Sequence, residues 1–144
     1  MKNIFTSSNI LIILATVLLT GAIIYLTPLK HKNIIEPAID DILPTEFYEL
    51  YKQNPDDYIF IDVRSVNAYN DIHAADSINM PLHTLFDQRK NLPKNGKTIV
   101  LICTGGRASG VGYSYLEHFG FLNLRRIEGG ISAWDAVDLP VIVN

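Results

Sequence analysis

The sequence predicts an α/β fold in which a parallel β-sheet carries helices on both faces. Strand-like apolar segments alternate along the chain with segments of helical periodicity, and this order is typical of parallel sheets. The two longest strand candidates, 58–63 and 98–103, are largely continuous apolar runs, as expected for strands covered on both sides. Right-handed crossovers would place the carboxyl ends of these strands at one sheet edge, where such sheets bind ligands.

Local signals give the order of the elements. Pro44 opens a helix that continues to about Gln53, and Asn54-Pro55 ends it. The later elements that we predict are a strand over 58–63, a helical turn over 66–70, a strand over 77–79, a helix over 82–90, a strand over 98–103, a helix over 107–119 closed by Gly120, a strand over 123–127 and a helix over 131–136.

The first part of the chain differs in composition from the rest. Residues 10–26 are 17 consecutive residues without a charge. At about 1.5 Å per residue they approach the ~30 Å hydrocarbon core of a bilayer. We therefore expect residues 1–32 to be an N-terminal membrane anchor with its flank, 33–41 a linker and 42–144 the globular domain. A cleaved signal peptide is the alternative, and the balanced flanking charges leave open whether the domain is cytoplasmic or periplasmic.

The distribution of charge argues against a nucleic-acid partner. All 15 Asp and Glu residues lie at or after Glu36, whereas three of the 12 Lys and Arg residues lie before it. The globular part is therefore net acidic and has no basic stripe. Arg125 and Arg126 are an isolated basic pair that we expect at the surface. The histidines lack the spacing of metal ligands, so we expect no metal site.

Cys103 is the only cysteine of the chain, at the end of the predicted strand 98–103. The glycines at 105 and 106 allow the following loop to aim successive N–H groups at one point. The helix predicted over 107–119 adds the positive end of its dipole. Both effects stabilise a thiolate, so we expect a lowered pKa for Cys103. The alternative is an inert cysteine buried as a small hydrophobic residue.

Five short motifs, in order, resemble those of the rhodanese family of sulfurtransferases. The motifs are Asp62-Val63-Arg64, His73, Ile78-Asn79-Met80-Pro81, the Cys-x-x-Gly-x-x-Ser loop from Cys103 to Ser109, and Glu128-Gly129-Gly130-Ile131-Ser132-Ala133-Trp134. The resemblance covers about residues 42–142. It implies a three-layer, rhodanese-like fold with a parallel sheet of about five strands. The sequence departs from the family's pattern at Ile72, Ala74, Asp76 and Ala108.

The resemblance implies sulfur transfer in two half-reactions. The thiolate of Cys103 takes a sulfane sulfur from thiosulfate or a persulfide donor, and the resulting persulfide passes it to cyanide or a thiol. No metal or organic cofactor is implied. Asp62 and Arg64 are expected to orient the loop without touching the substrate. The residues expected to bind the substrate are Thr104, Gly105, Gly106, Arg107, Ala108 and Ser109.

Two other classes of function remain as alternatives. Cysteine phosphatases carry an arginine six positions after the cysteine, but here that position is Ser109 and Arg107 comes two residues too early. A non-enzymatic binding or sulfur-sensing module at the membrane is the second, although such domains usually lack the cysteine. Because Cys103 is the only thiol, no second cysteine of the chain can receive its sulfur, and an outside acceptor is needed.

Overall fold

A computed structural model describes residues 7–26 and 39–143, and the chain divides into two compact units between Ala38 and Ile39. The first unit contains helix α1, Ser7–Leu26. Among the described residues, no helix is long and apolar enough to cross a membrane, so the span expected over 10–26 is not supported. The flank of that span and most of the expected linker lie outside the described residues.

The second unit is built on a five-stranded parallel sheet. Its strands are β1 (Asp41–Ile42), β2 (Tyr58–Asp62), β4 (Ile78–Asn79), β5 (Thr98–Ile102) and β6 (Leu124–Ile127). They lie in the order β1-β6-β5-β2-β4, and each pair of neighbours is parallel. The predicted α/β class and strand number are confirmed. Strand β1 was not predicted, because two residues are too few to show a pattern, and it starts inside the expected linker.

A second, two-stranded sheet was also missed. Strands β3 (Ile72–Ala74) and β7 (Val141–Val143) pair in antiparallel register, with His73 opposite Ile142. Each strand has three residues, and the partners are distant in sequence, so no local pattern indicates the pairing. The helices of this unit are α2 (Pro44–Gln53), α3 (Val66–Asp71), α4 (Leu82–Gln88), α5 (Arg107–His118) and α6 (Gly130–Ala136), and short 3₁₀ turns cover Pro55–Asp57 and Arg89–Asn91.

The large sheet separates two hydrophobic cores. Successive side chains of β5 contribute alternately to the two cores. Ile99 and Leu101 pack in the first core, and Val100 and Ile102 pack in the second. The first core includes Leu85 from α4 and Tyr113 and Leu116 from α5. The second includes Phe47 from α2 and Ile131 and Trp134 from α6. The unit therefore has the predicted three layers, with helices on both faces of the sheet.

Trp134 anchors the second core. Its side chain is 1% exposed, and its ring packs against Phe47 and Phe60. The indole Nε1–H donates a hydrogen bond of 3.0 Å to the carbonyl oxygen of Pro140. The polar atom of this large ring is thus paired, which is the usual condition for burying tryptophan.

Candidate active site

Cys103 follows β5 directly and continues its alternation, so its side chain lies on the face that carries α5. The residue is 2% exposed, and its sulfur is hydrogen-bonded. Sγ accepts hydrogen bonds from the Gly106 N–H at 3.2 Å and from the Ser109 hydroxyl at 3.3 Å. Donors of this kind favour the thiolate over the neutral thiol.

The pKa of Cys103 follows from two opposed effects. Burial raises the pKa of the thiol, because a charged sulfur loses its hydration. Hydrogen bonds from the Ser109 hydroxyl and from the amides of Ser109, Gly105 and Gly106 lower it. The hydrogen bonds outweigh burial, and the pKa of Cys103 lies below its ordinary value. This agrees with the lowered pKa expected from the sequence.

The loop after Cys103 turns through a glycine with a left-handed backbone. Gly106 has φ of 94° and precedes the first residue of α5, Arg107. This conformation is costly for residues with a Cβ atom, so glycine is the natural residue there. The Gly106 carbonyl accepts the first hydrogen bond of the helix, from Gly110 N–H at 3.0 Å. The sulfur therefore lies at the amino end of the 12-residue helix α5, where the dipole favours a negative charge.

The start of α6 holds the beginning of this loop. The Ile131 N–H donates to the Cys103 carbonyl at 2.7 Å. The amide and the hydroxyl of Ser132 both donate to the Thr104 carbonyl, at 3.2 and 3.0 Å. A Cβ atom on Gly130 would lie 2.2 Å from the Cys103 carbonyl oxygen. Gly130 thus has a physical role, which is to let α6 approach the loop.

Asp62 and Arg64 form a buried ion pair at the end of β2. The Asp62 carboxylate is fully buried and accepts hydrogen bonds from the Arg64 backbone amide at 2.9 Å and from its guanidinium at 2.6 to 3.0 Å. Arg64 Nη2 also donates to the Ile72 carbonyl at 2.6 Å. Arg64 lines the cleft that contains Cys103, so the pair fixes one wall of this cleft.

His73 follows Ile72, whose carbonyl oxygen accepts a hydrogen bond from Arg64. Its Nδ1 lies 2.7 Å from the carbonyl oxygen of Tyr69, and the two rings are stacked with centroids 3.7 Å apart. The interaction ties strand β3 to helix α3, next to Ile72. No group of three or more His, Cys, Asp or Glu side chains that could hold a metal occurs among residues 7–26 and 39–143.

An open cleft of about 570 Å³ lies over the cysteine. It brings together four of the six predicted substrate-binding residues with Arg64 and Cys103. The complete lining is Arg64, Cys103, Thr104, Gly105, Arg107, Ala108 and Val111. The other two predicted residues, Gly106 and Ser109, are buried and bind the sulfur instead. Arg107 is exposed and has no ion pair within the described part of the chain, so its charge is available to an anion.

Arg126 is the site residue that the sequence interpretation missed. We expected it at the surface, but its side chain is only 20% exposed. Its Nη1 donates to the Gly106 carbonyl at 3.1 Å, and its Nε and Nη2 each donate to the Asp41 carboxylate at 2.6 Å. The strand period of two places Arg126 and Arg125 on opposite faces of the sheet. The alternation along β6 was the sequence signal that could have separated Arg126 from Arg125. It was not sufficient, because strand β1, which carries the partner Asp41, was not predicted.

A family model for the rhodanese-like domain matches residues 43–137, which is more than half of the chain. The chain belongs to this family. It is 30% identical to a rhodanese-related protein from Thermoplasma volcanium, whose crystal structure superimposes with a TM-score of 0.63 over 73% of this chain and 99% of that one. A rhodanese-like domain from Anabaena, 23% identical, shares the fold with a TM-score of 0.66 over 72% of this chain and 79% of that one.

Three curated proteins are also similar to this chain. An uncharacterized protein of Synechocystis is 32% identical over 70% of this chain and 55% of its own length. An adenylyltransferase and sulfurtransferase of Saccharomyces cerevisiae is 29% identical over 70% of this chain and 26% of its own length. A sulfurtransferase of Allochromatium vinosum is 25% identical over 60% of this chain and 80% of its length. The chain thus spans from about a quarter to about half of the first two relatives.

Proposed function

We propose that this protein is a sulfurtransferase that carries a sulfane sulfur as a persulfide on Cys103. The observation that carries the proposal is the pair of hydrogen bonds to Sγ, from the Gly106 amide and the Ser109 hydroxyl, below an open cleft. Membership of the rhodanese-like family and the sulfurtransferases among its relatives support the same chemistry.

In the first half-reaction the Cys103 thiolate attacks the outer sulfur of thiosulfate. A bond forms between Sγ and that sulfur, the sulfur–sulfur bond of thiosulfate breaks, and sulfite leaves with its electron pair. Arg107 lines the cleft, forms no ion pair with any residue that the structure describes, and would bind the anionic donor. The amides of Gly105 and Gly106 stabilise the negative sulfur before attack.

In the second half-reaction an acceptor attacks the outer sulfur of the Cys103 persulfide. The persulfide bond breaks, and its electron pair returns to Sγ as the thiolate. Cyanide would give thiocyanate, and a thiolate would give a new persulfide. The same Gly106 and Ser109 donors stabilise Sγ as the leaving group, which makes departure easier. The acceptor must come from outside the chain because the sequence contains one cysteine.

Two measurements on the 144-residue chain test this proposal. Incubation with thiosulfate, followed by intact-protein mass spectrometry, should show one added sulfur atom, and Cys103→Ser should show none. Addition of cyanide should then release thiocyanate and return the unmodified mass. A chain that gains no sulfur from thiosulfate or from a small persulfide would instead be a binding module. Hydrolysis of an aryl phosphate that depends on Cys103 would favour the phosphatase alternative.

Attachment to a membrane through residues 10–26 stays a prediction of the sequence. Cell fractionation measures it directly: the anchored chain should remain with the membranes after washing at high salt and alkaline pH. Recovery in the washed supernatant would contradict the anchor. Labelling of Cys103 in intact cells by a membrane-impermeant thiol reagent would then report which side the domain faces.

A further inference from the structure

We propose that Arg126 is a positioning residue that directs the proton of the Ser109 hydroxyl to the sulfur of Cys103. It would do so by occupying the carbonyl oxygen of Gly106, which is the competing acceptor for that proton. The inference rests on the proposed function only in taking Cys103 as the reacting residue. Arg126 does not line the cleft, and its guanidinium donates to the Gly106 carbonyl and the Asp41 carboxylate.

The position of Arg126 follows from strand register. Arg126 pairs with Leu101 of β5 and, on its other side, with Asp41 of β1. Side chains at paired positions of parallel strands share a face, so Arg126 lies on the face of Leu101 and Cys103. The two hydrogen bonds of 2.6 Å that Arg126 Nε and Nη2 donate to the Asp41 carboxylate fix the guanidinium as a bidentate pair. Its remaining nitrogen, Nη1, is held against the active-site loop.

Three donors compete for the carbonyl oxygen of Gly106. They are the Gly110 N–H at 3.0 Å, the Arg126 Nη1–H at 3.1 Å and the Ser109 hydroxyl at 3.1 Å. A carbonyl oxygen has two lone pairs. Gly110 N–H and Arg126 Nη1 each donate to this oxygen and, among the described residues, to no other acceptor, so together they fill both lone pairs.

The Ser109 hydroxyl differs from the other two donors because it can donate to either of two acceptors. Its hydroxyl has a single proton and two acceptors within reach, the Gly106 carbonyl at 3.1 Å and the Cys103 Sγ at 3.3 Å. With the carbonyl already saturated, the proton goes to the sulfur, where it stabilises the thiolate. The hydrogen bond from Arg126 to the Gly106 carbonyl also fixes the position of Gly106, whose N–H donates to Sγ. Arg126 thus acts on both hydrogen bonds of the sulfur.

Gly110 provides the space that this arrangement needs. A Cβ atom on Gly110 would lie 2.8 Å from Arg126 Nη1, so any side chain there displaces the end of the guanidinium. Gly110 lies in helix α5, where alanine has a higher intrinsic propensity than glycine. Gly110→Ala therefore disturbs the Arg126 contact without removing the arginine and without weakening the helix.

The test measures the rate of Cys103 alkylation by iodoacetamide as a function of pH. Arg126→Met should move the midpoint of this titration to higher pH, and Gly110→Ala should move it in the same direction. Arg125→Met is the matched control, because Arg125 is the adjacent residue of β6 and pairs with Asp40 at 3.2 Å on the opposite face. It should leave the midpoint unchanged.

Two further variants separate positioning from charge. Arg126→Lys keeps the positive charge but cannot hold Asp41 and the Gly106 carbonyl in one planar fork. We expect a midpoint above that of the wild type. In a Ser109→Ala background, Arg126→Met should shift the midpoint less than it does in the wild type, since the hydroxyl through which it acts is absent.

The proposal is overturned if Arg126→Met and Gly110→Ala both retain the wild-type midpoint. It is also overturned if Arg126→Lys behaves as the wild type, or if the Ser109→Ala and Arg126→Met shifts are additive. Far-ultraviolet circular dichroism checks that each variant is folded, and Asp41 is 33% exposed, so water can solvate it in Arg126→Met. Alkylation needs no sulfur donor, so a failure of sulfur transfer is a separate result.

Discussion

The backbone N–H of Ile131 donates a 2.7 Å hydrogen bond to the carbonyl oxygen of Cys103. This bond joins the first turn of α6 to the residue that carries the reactive sulfur. It fixes the Cys103 peptide from behind, while Gly106 and Ser109 hold the sulfur from the opposite side. Helix α6 is therefore part of the active-site structure, although none of its residues lines the cleft.

Gly130→Ala should destabilise the domain and disorder the loop. The added Cβ atom would meet the Cys103 carbonyl oxygen at 2.2 Å, and the backbone of Gly130 has φ of 62°. A left-handed residue with a side chain costs about 1–2 kcal/mol, and relieving the clash adds to this, so we expect a loss of at least about 2 kcal/mol in urea unfolding.

Gly105→Ala is the matched control for that substitution. A Cβ atom at Gly105 has no neighbour within 4 Å, and the residue does not need positive φ. We expect a change in unfolding free energy within about 0.5 kcal/mol. Equal losses for Gly130→Ala and Gly105→Ala would contradict the steric role of Gly130.

The stability of the domain should depend on pH through Cys103. Its pKa in the folded state is lowered below the ordinary value of 9.0 by the loop hydrogen bonds, which outweigh burial. A lowered folded-state pKa gives stability that is fully present above the ordinary thiol pKa and is lost as pH falls through the folded-state pKa. Urea unfolding of the wild type and Cys103→Ser over this range measures it. A pH-independent difference between the two would show that the thiolate is not stabilised.

Asp62→Asn should cost far more stability than the loss of a surface ion pair. Asp62 and Arg64 are 0% and 7% exposed, so the substitution leaves a buried guanidinium without its counter-ion. We expect a loss of about 3–5 kcal/mol in the free energy of unfolding. Glu49→Gln is the control, because its pair with Lys52 is exposed to solvent and should contribute little to stability. Similar losses in the two variants would contradict the stabilising role of the buried Asp62–Arg64 pair.

Arg107→Gln should weaken the use of thiosulfate as donor. Arg107 is exposed on the cleft and has no ion pair in the part of the chain that the structure describes. Losing one charge-assisted hydrogen bond should raise KM for thiosulfate about tenfold, with a smaller effect on a neutral donor. Steady-state kinetics with Arg125→Met as control measures the effect. An unchanged KM would exclude Arg107 from donor binding.

The agreement between sequence and structure is best where the signal is local. The helix expected from Pro44 to Gln53 is found with the same bounds, and the helix over 107–119 is found as Arg107–His118. The strand over 98–103 ends at Ile102, and its apolar run correctly indicated burial on both faces. These elements carry their own start, stop and burial signals, so one segment of sequence is enough to predict them.

The failures within residues 39–143 share a different cause, which is pairing between distant segments. Strands β1, β3 and β7 have two or three residues each, and they form only because a partner strand is brought beside them. Arg126 was taken as a surface residue because its two partners, Asp41 and Gly106, lie 85 and 20 residues away. The membrane span expected over residues 10–26 is not supported by the helices that the structure describes.

The amino-acid sequence alone determined the class of fold and singled out Cys103 as the candidate reactive residue, because a strand, two glycines and a helix start follow one another without interruption. The tertiary structure decided which groups from other elements form hydrogen bonds to the loop that begins at Cys103. Helix α6 reaches the Cys103 carbonyl, and Arg126 reaches the Gly106 carbonyl, only after parallel strands have been placed side by side. Such contacts depend on strand order and register, and these are set by packing of the whole sheet between its two cores.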